Sequence, residues 1–307
     1  MSKKWSEKDI PDLTGKIIII TGANNGIGFE NSKQFARKNA TVIMACRNLE
    51  KGQKALNTVK KKVPSAKVEL MKLDLANLYS IKEFVSEFKQ KYDKLDILLN
   101  NAGIMMIPYS KTVDGFENQI GTNHLGHFAL TAQLFELLKN TPKSRVVNVS
   151  SNAHRWGEMD WDNFLFEKDY GRVKAYGRSK LANLLFTYEL DRRIQEKGID
   201  VLAVASHPGT ANTGLANHLF GPVKYVLKPI VFSIIAQSSY KGSLPSARAA
   251  VDPDVKGGDY YGPKGFLGTD KRGSPTKVES LENSHNIEDA KKLWDKSEKL
   301  TGITFTI

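Results

Sequence analysis

The chain has 307 residues but a single cysteine, Cys46, and no uninterrupted apolar run near the roughly 20 residues that a membrane-spanning helix requires. One thiol excludes an intramolecular disulfide and any metal site that needs several cysteines. His154, His207 and His218 do not have the spacing of a ligand cluster, so we predict that no metal is bound. Residues 1–12 are polar and lack the apolar segment of a secretory signal. We therefore expect a cytoplasmic protein without a transmembrane span.

Nothing in the composition divides the chain into separate units. The sequence has no internal repeat and no linker rich in proline and serine, and 40% of its residues are hydrophobic. A chain of this length can bury a substantial core, and α/β domains of this size are often single units. We predict one domain over residues 1–307, with a polar extension at residues 1–12.

The positive charge of the chain is large but dispersed, with a formal net charge of +12. Lys51, Lys54 and residues 60–62 lie on one predicted helix, where charged side chains usually form a solvated face. No recognised nucleic-acid-binding motif accompanies them. We expect no specific nucleic-acid binding, and we expect the basic surface to attract anionic ligands.

Short apolar segments alternate with segments of helical periodicity through most of the chain. The predicted strands cover residues 16–21, 41–46, 68–73, 95–100, 145–150 and 201–206, and the predicted helices cover 26–38, 49–62, 78–91, 116–140 and 176–197. This alternation predicts an α/β fold: a single Rossmann-type, doubly wound parallel sheet flanked by helices on both faces. The run from Ile17 to Ile20 fits a central strand that is buried on both faces. A ligand would then bind at the carboxyl edge of the sheet.

A glycine-rich turn follows the first predicted strand. It has the spacing Gly-x3-Gly-x-Gly and leads into a predicted helix. Glycines allow a tight turn and let backbone N–H groups and the positive end of the helix approach a pyrophosphate. We interpret the segment as a dinucleotide-binding turn; the alternative is a turn that binds no ligand. The residues assigned to the cofactor here are Thr21, Gly22, Asn24, Asn25, Gly26, Ile27 and Gly28.

Arg47 follows the second predicted strand, where NAD-binding enzymes tend to have a carboxylate for the ribose 2′-hydroxyl. No acid is present here to repel a phosphate, and a guanidinium can bind one in bidentate fashion. We therefore predict that NADP(H) is preferred to NAD(H). The alternative is a surface arginine near the adenine.

The spacing Tyr-x3-Lys occurs three times, beginning at Tyr170, Tyr176 and Tyr260. Residues four apart lie on one face of a helix, about 6 Å apart along its axis. Tyr170 lies in a polar loop and Tyr260 stands among glycines, whereas Tyr176 opens a predicted helix with an apolar stripe. The pair Tyr176 and Lys180 is therefore the catalytic candidate; the alternative is an ordinary exposed pair on a helix.

Several motifs together resemble the short-chain dehydrogenase/reductase family over residues 13–213. These motifs are the glycine-rich turn, Asn100-Asn101-Ala102-Gly103, Asn123, Ser150-Ser151, Tyr176-x3-Lys180 and Pro208-Gly209. The segments around Arg47, Asn123, Ser151 and Tyr176 resemble the branch of the retinol dehydrogenases, the WW-domain oxidoreductase and protochlorophyllide reductase. We find neither the N-terminal membrane anchor of many retinol dehydrogenases nor a WW module in the sequence. A retinoid substrate or a signalling role is therefore not carried over.

The resemblance implies a reaction and four catalytic residues. Reduction of a carbonyl group needs a hydride at carbon and a proton at oxygen, and NADPH would supply the hydride. Tyr176 would supply the proton, and the charge of Lys180 would lower the pKa of its phenol from about 10 toward neutrality. Of the adjacent Ser150 and Ser151, the resemblance favours Ser151 as the group that polarises the carbonyl. Asn123 would hold a water chain to the lysine; the alternative is an asparagine at a helix kink.

The resemblance also extends the set of cofactor contacts. The implied contacts are Asp74 and Leu75 beside the adenine, Asn101, Ala102 and Gly103 along the ribose, Tyr176 and Lys180 at the nicotinamide ribose, and Pro208, Gly209, Thr210 and Thr213 around the nicotinamide. Asn25 is neutral where many NADP-preferring members of the family have a second basic residue. We therefore expect an incomplete preference for NADP(H).

The substrate is expected to be hydrophobic. In this family the segment at residues 214–244 forms a lid over the substrate, and its apolar patches fit a greasy pocket, a surface that touches lipid or ordinary core packing. The loop at 152–174 contains Trp156, Trp161, Phe164 and Phe166, which would add an aromatic wall. We expect a hydrophobic aldehyde or ketone, or the corresponding alcohol.

Two other functions compete with this interpretation. One is a sensor or scaffold that binds NADP(H) without turnover, against which the intact Ser151, Tyr176 and Lys180 argue. The other is a sugar-nucleotide epimerase, which normally has a different glycine spacing and a larger C-terminal region. Members of the family usually pair through helices equivalent to 116–140 and 176–197, so the resemblance implies a homodimer or homotetramer.

Overall fold

The structure is a computed structural model that describes residues 4–209, 238–264 and 273–307. Eight strands in these ranges form one sheet. They are β1 (Ile17–Thr21), β2 (Thr41–Cys46), β3 (Lys67–Lys72), β4 (Ile97–Asn100), β5 (Ser144–Val149), β6 (Val201–Ser206), β7 (Tyr260–Lys264) and β8 (Ser274–Lys277). The last two strands were not predicted from the sequence.

Helices connect these strands. They are α1 (Gly26–Ala36), α2 (Leu49–Lys62), α3 (Leu78–Lys91), α4 (Asn118–Ile120), α5 (Gly126–Lys139), α6 (Arg172–Glu196), α7 (Ser239–Val251) and α8 (Ile287–Thr301). A π-helical turn, Gly121–Leu125, joins α4 to α5. The prediction that Tyr176 opens its helix was wrong, because α6 begins one turn earlier, at Arg172. Within the described ranges, no helix has both the length and the apolar character needed to cross a membrane.

Asparagine caps explain why the bounds of α2 and α3 were predicted correctly. The side chain of Asn48 accepts a hydrogen bond from the backbone N–H of Lys51, and that of Asn77 accepts from Tyr79 and Ser80. A capping side chain satisfies an N–H group that has no partner inside the first turn. The start of each helix is therefore fixed by residues adjacent to it in the sequence.

The strand order is β3-β2-β1-β4-β5-β6-β7-β8, and each neighbouring pair is parallel except β7 with β8. The order reverses between β1 and β4, which pair directly through Ile18 with Ile97 and Ile20 with Leu99. Ligands bind outside the carboxyl ends of the strands at such a reversal. The structure confirms the predicted α/β class with its doubly wound, mostly parallel sheet.

Both faces of the sheet are covered. Ile18 and Ile20 join the core beneath α1, α2 and α7, whereas Ile19 joins the core beneath α3, α5 and α6. Successive side chains of a strand point to opposite faces, so a strand buried on both sides needs an uninterrupted apolar run. This requirement explains the isoleucine run of β1.

The C-terminal helix α8 packs across α5 and α6. Its Trp294 is 2% exposed, and its ring centroid lies 5.4 Å from that of Phe128, 6.0 Å from Phe186 and 4.7 Å from Phe305. The resemblance implied that subunits pair through helices that correspond to α5 and α6. The face of these two helices that contacts Trp294 is instead covered by the chain's own α8.

The predicted lid at 214–244 lies mostly outside the described residues. Its last part, residues 239–244, belongs to α7, where Ser243 and Leu244 are buried. There the Ser243 carbonyl accepts a hydrogen bond from Asn31 of α1. That end of the segment therefore packs against α1.

Candidate active site

A cleft of about 550 Å³ lies at the carboxyl ends of the parallel strands. It brings together most of the residues assigned from the sequence. Those that line it are Thr21, Gly22, Asn24, Asn25, Gly26, Ile27, Arg47, Asp74, Leu75, Asn101, Ala102, Gly103, Ser151, Tyr176, Lys180, Pro208 and Gly209. Gly28 and Asn123 lie outside its lining, and Thr210 and Thr213 fall outside the described residues.

The glycine-rich turn packs closely against the segment after β4. Gly22 has a φ of +66°, and a Cβ atom there would lie 3.0 Å from Cα of Ala102. A Cβ atom at Gly28 would lie 2.5 Å from Nδ2 of Asn101 and 2.8 Å from the carbonyl oxygen of Gly22. Gly28 therefore allows the start of α1 to approach the turn, while the residues before it line the cleft.

The amino end of α1 fits an anionic ligand. The helix begins at Gly26, and the side chain of Asn25 accepts a hydrogen bond from the Gly26 N–H at 2.7 Å. The first turn of a helix carries N–H groups without helical partners and the positive end of the helix dipole. These features suit the pyrophosphate of a dinucleotide.

Two basic residues stand at the carboxyl ends of β2 and β3. The exposed Arg47 lines the cleft, and Nζ of Lys72 donates a hydrogen bond to the carbonyl oxygen of Arg47. Sequence reasoning missed Lys72. The register pairs Lys72 with Cys46, the residue before Arg47, and a pairing between strands cannot be read from the sequence of either strand alone.

The phenol of Tyr176 is buried next to Ser151. Tyr176 is 6% exposed, and it shares a hydrogen bond with the side chain of Ser151. Burial raises the pKa of Tyr176 to about 12, an effect that the bond to Ser151 partly opposes. The implied lowering of this pKa toward neutrality is therefore not found, because desolvation of the phenolate dominates. At neutral pH the phenol holds its proton.

Lys180 lies one helical turn after Tyr176 and is also buried. Its Nζ donates to the carbonyl oxygen of Val149 at 3.0 Å and lies 5.8 Å from the centroid of the Tyr176 ring. Burial lowers the pKa of Lys180 to about 8, so the group remains mostly charged at neutral pH. A poorly solvated cation at this position favours a negative charge on the phenol.

The two adjacent serines point to different partners. The Ser150 hydroxyl donates to the carbonyl oxygen of Lys180 at 2.8 Å and so ties β5 to α6. Ser151 instead faces Tyr176, and its Oγ accepts the N–H of Ala153 at 3.2 Å. This geometry places Ser151 beside the candidate proton donor.

Asn123 is buried in the π-helical turn behind the cleft. Its Oδ1 accepts the N–H of Ile104 at 2.8 Å, and its Nδ2 donates to the carbonyl oxygen of Ile104 and to Oγ of Ser179, each at 2.9 Å. The side chain thus holds Ile104, which lines the cleft. Nothing in these contacts tests the water chain implied by the resemblance.

Sequence reasoning missed much of the apolar wall of the cleft. Met105 and Met106 line it shortly after the predicted Gly103. The only feature of the sequence that could have indicated this is that they follow a predicted cofactor-binding residue closely in the chain. Met106 has a φ of +51°, and its N–H donates to Oε1 of Gln119 at 2.6 Å. A buried amide thus holds this unusual backbone conformation.

Of the four aromatic residues expected to add a wall, Trp156 lines the cleft and is 59% exposed. The expectation was wrong for the other three. Phe164 and Phe166 are buried and do not line the cleft, and Trp161 donates its ring N–H to Asp289 of α8 at 3.0 Å. Contacts with distant parts of the chain decided which of these rings faces the cleft.

Comparison with known proteins adds independent information. A family model described as short chain dehydrogenase matches residues 16–222. Retinol dehydrogenase 12 of Mus musculus is 39% identical over 295 residues, which cover 95% of this chain and 88% of that protein. These findings confirm the resemblance to the short-chain dehydrogenases and to the retinol dehydrogenases.

Two solved structures share the fold. The crystal structure of an uncharacterized protein from Mycobacterium paratuberculosis is 38% identical, covers 99% of this chain and 100% of its own, and has a TM-score of 0.82. A short chain dehydrogenase from Shigella flexneri, solved in complex with NADP, is 22% identical and has a TM-score of 0.65, with 81% of this chain and 97% of that chain covered.

Proposed function

This chain belongs to the short-chain dehydrogenase family, and on that premise we propose that it is an NADP(H)-dependent oxidoreductase acting on a hydrophobic aldehyde or ketone or the corresponding alcohol. The observation that carries the proposal is the convergence of Ser151, Tyr176 and Lys180 in the cleft that the glycine-rich turn also lines. Bound nicotinamide would supply or accept the hydride. The residues of the chain would bind, orient and transfer the proton.

The proton chemistry follows from the burial of the two titratable groups. Tyr176 keeps its proton at neutral pH and can donate it to a carbonyl oxygen that gains negative charge. The Ser151 hydroxyl, bonded to the same phenol, can orient that oxygen. When Tyr176 has lost its proton, the ammonium of Lys180 stabilises the phenolate. In the opposite direction, the phenolate would accept a proton from an alcohol.

The preference for NADP(H) is proposed from the cations at the ends of β2 and β3. The exposed guanidinium of Arg47 can bind a 2′-phosphate in bidentate fashion, and the neighbouring ammonium of Lys72 adds positive charge. The NADP bound to the Shigella flexneri protein supports the cofactor class.

The proposed substrate class rests on the apolar wall of the cleft. Ile104, Met105, Met106 and Trp156 supply a hydrophobic surface beside the polar catalytic groups. The similarity to retinol dehydrogenase 12 agrees with a greasy substrate. We also propose a cytoplasmic location and a homo-oligomeric state. A sensor that binds cofactor without turnover is not favoured, because it would need none of the three catalytic groups.

Replacement of Tyr176 tests the function. Tyr176→Phe should bind NADPH as the parent does but lose about 10²- to 10⁴-fold in carbonyl reduction, the usual range for removing a general acid. NADPH oxidation against medium-chain, aromatic and retinoid aldehydes and ketones measures turnover, and fluorescence titration measures binding.

Tyr170→Phe is the matched control, since Tyr170 has the same spacing to a lysine but bonds the carbonyl oxygen of Ile107 outside the cleft. It should keep its turnover and lose about 2 kcal/mol of folding stability, because the hydroxyl donates to Ile107 and accepts from Gln119, and each hydrogen bond is typically worth about 1 kcal/mol. Undiminished turnover in Tyr176→Phe would overturn the proposed proton donor. Cofactor binding without turnover on the whole panel would favour the sensor.

A further inference from the structure

His127, at the second position of α5, connects segments that are distant in the sequence. The residue is 2% exposed. Its Nδ1 lies 3.0 Å from the carbonyl oxygen of Asn123, and its Nε2 lies 2.9 Å from Oγ1 of Thr21, 106 positions away. One ring therefore bonds both the π-helical turn and the start of the glycine-rich turn.

The partners of this ring determine where its proton lies. The Asn123 carbonyl can only accept, so Nδ1 carries the hydrogen and donates it. Oγ1 of Thr21 accepts the N–H groups of Asn101 and Ala102, each at 2.9 Å, which uses both of its lone pairs. The hydroxyl hydrogen then goes to Nε2, since the Leu99 carbonyl at 3.5 Å is the weaker acceptor. The ring is a neutral Nδ1–H tautomer.

The surroundings favour this neutral form. The pKa of His127 is lowered to about 4, mainly by burial; the bond to Asn123 opposes this change, and the charge of Lys180 contributes to it. His124, one turn earlier, is also buried, and burial lowers its pKa to about 3. A proton on Nε2 would remove the acceptor for Thr21 and place a second charge near Lys180.

Each partner of the ring belongs to the wall of the cleft or holds part of it. Thr21 begins the glycine-rich turn, and Asn101 and Ala102 form the facing segment. Those two segments are in close contact: the side chain of Asn101 donates a hydrogen bond to the Thr21 carbonyl oxygen at 2.8 Å. Gly22 lies so near Ala102 that a Cβ atom at position 22 would be only 3.0 Å from it. Asn123 holds Ile104 through two hydrogen bonds. A shift of the ring would therefore change the width of the cleft at the turn.

We propose that His127 is a positioning residue for the cofactor, whose neutral ring holds the glycine-rich turn, residues 101–103 and the π-helical turn at the separation that a bound dinucleotide requires. The inference rests on the proposed function, because it assigns the cleft to a dinucleotide. His127 does not line the cleft, so it acts through Thr21 and Asn123 rather than by touching a ligand.

A pair of histidine variants tests the role through cofactor affinity. His127→Phe keeps an aromatic ring but removes both bonds, and it should weaken NADPH binding about tenfold, the size of one net hydrogen bond. The matched control is His124→Phe. His124 belongs to the π-helical turn itself, but its ring bonds Ser297 of α8 at 2.8 Å, so it is equally buried and makes no hydrogen bond to the glycine-rich turn. The control should bind NADPH as the parent does.

Two smaller variants separate positioning from simple packing. In His127→Gln the amide oxygen can replace Nε2 as the acceptor for Thr21, and in His127→Asn the amide N–H can replace Nδ1 as the donor to Asn123. Gln should restore most of the NADPH affinity, whereas Asn should not. If neither restores it, or if His127→Phe binds NADPH as tightly as the parent, the proposed role is overturned.

The tautomer can be tested without any reference to activity. Imidazole ¹⁵N chemical shifts of the ligand-free protein should show a protonated Nδ1 and a bare Nε2 for His127 from pH 5.5 to 8. The opposite tautomer, or a charged ring at pH 6, would overturn the bonding scheme. A parent protein that binds neither NADPH nor NADH would instead refute the proposed function, and with it the cofactor role of His127.

Discussion

Position in the cleft, rather than spacing or burial, distinguishes Tyr176 from the two other tyrosines that precede a lysine by four residues. Tyr170 donates to a loop carbonyl, and Tyr260 is buried in β7. All three lie within the described residues, and of them only Tyr176 lines the cleft. The proposed proton donor is thus the tyrosine that the fold places in the cleft with Ser151 and Lys180.

Arg47 is the residue at which we propose to test the cofactor preference. Arg47→Asp replaces an exposed guanidinium in the cleft by a carboxylate, which should repel a 2′-phosphate and accept a ribose hydroxyl. The ratio of the Kd values for NADPH and NADH should shift about 100-fold toward NADH, as expected for the loss of a charge-assisted contact. Titration of both cofactors measures it.

The control for this variant is Lys60→Asp, which makes the same change in charge at an exposed position near the end of α2. It should leave the ratio unchanged. A ratio that does not move in Arg47→Asp would mean that another group, such as Lys72, holds the 2′-phosphate.

Helix α8 covers an apolar face of the molecule. Trp294 and Leu293 fill the face formed by α5 and α6, and the Arg193 guanidinium carbon lies 4.1 Å from the centre of the Trp294 ring. A helix that covers an apolar face takes the place that a partner subunit could otherwise occupy. Subunit pairing through this face would require α8 to move away.

The packing of α8 can be tested through stability. Trp294→Ala should lower the free energy of unfolding by about 3–5 kcal/mol, because it removes a fully buried aromatic side chain from a close-packed cluster. Ile287→Ala, at the exposed start of the same helix, should change it by about 0.5 kcal/mol or less. Urea unfolding measures both. Equal effects would show that α8 does not pack as described.

The whole molecule should lose stability in weak acid. Burial lowers the pKa of His124 to about 3, of His127 to about 4 and of His207 to about 3. The unfolded chain, with an ordinary histidine pKa of about 6.5, binds more protons than the folded chain below that pH. Stability is therefore complete above pH 6.5 and falls as the pH decreases below it.

When the pH falls from 7.5 to 5.5, each of these histidines should lower the free energy of unfolding by about 1.4 kcal/mol, and the three together by about 4 kcal/mol. Asp191 has a pKa raised to about 6 by burial, and it offsets about 1 kcal/mol of this loss because its folded form takes up a proton. Urea unfolding at the two pH values measures the difference. His124→Gln should reduce this net difference of about 3 kcal/mol by about 1.4 kcal/mol, or nearly half, whereas the exposed His285→Gln should not reduce it. A parent whose stability is equal at both values would contradict buried neutral histidines.

The sequence by itself determined the alternating strands, the doubly wound sheet, the glycine-rich turn and the Tyr176-x3-Lys180 pair. These features depend on interactions between residues a few positions apart: apolar runs, glycine turns and asparagine caps such as Asn48 and Asn77. Only the tertiary structure decided which serine faces Tyr176, that Lys72 lies beside Arg47, that Met106 and Trp156 line the cleft, and that α8 covers α5 and α6. Each depends on contacts across strands or over long stretches of chain, as when His127 bonds Thr21. Local patterns carry no information about such contacts, because burial and pairing are set by the assembled fold.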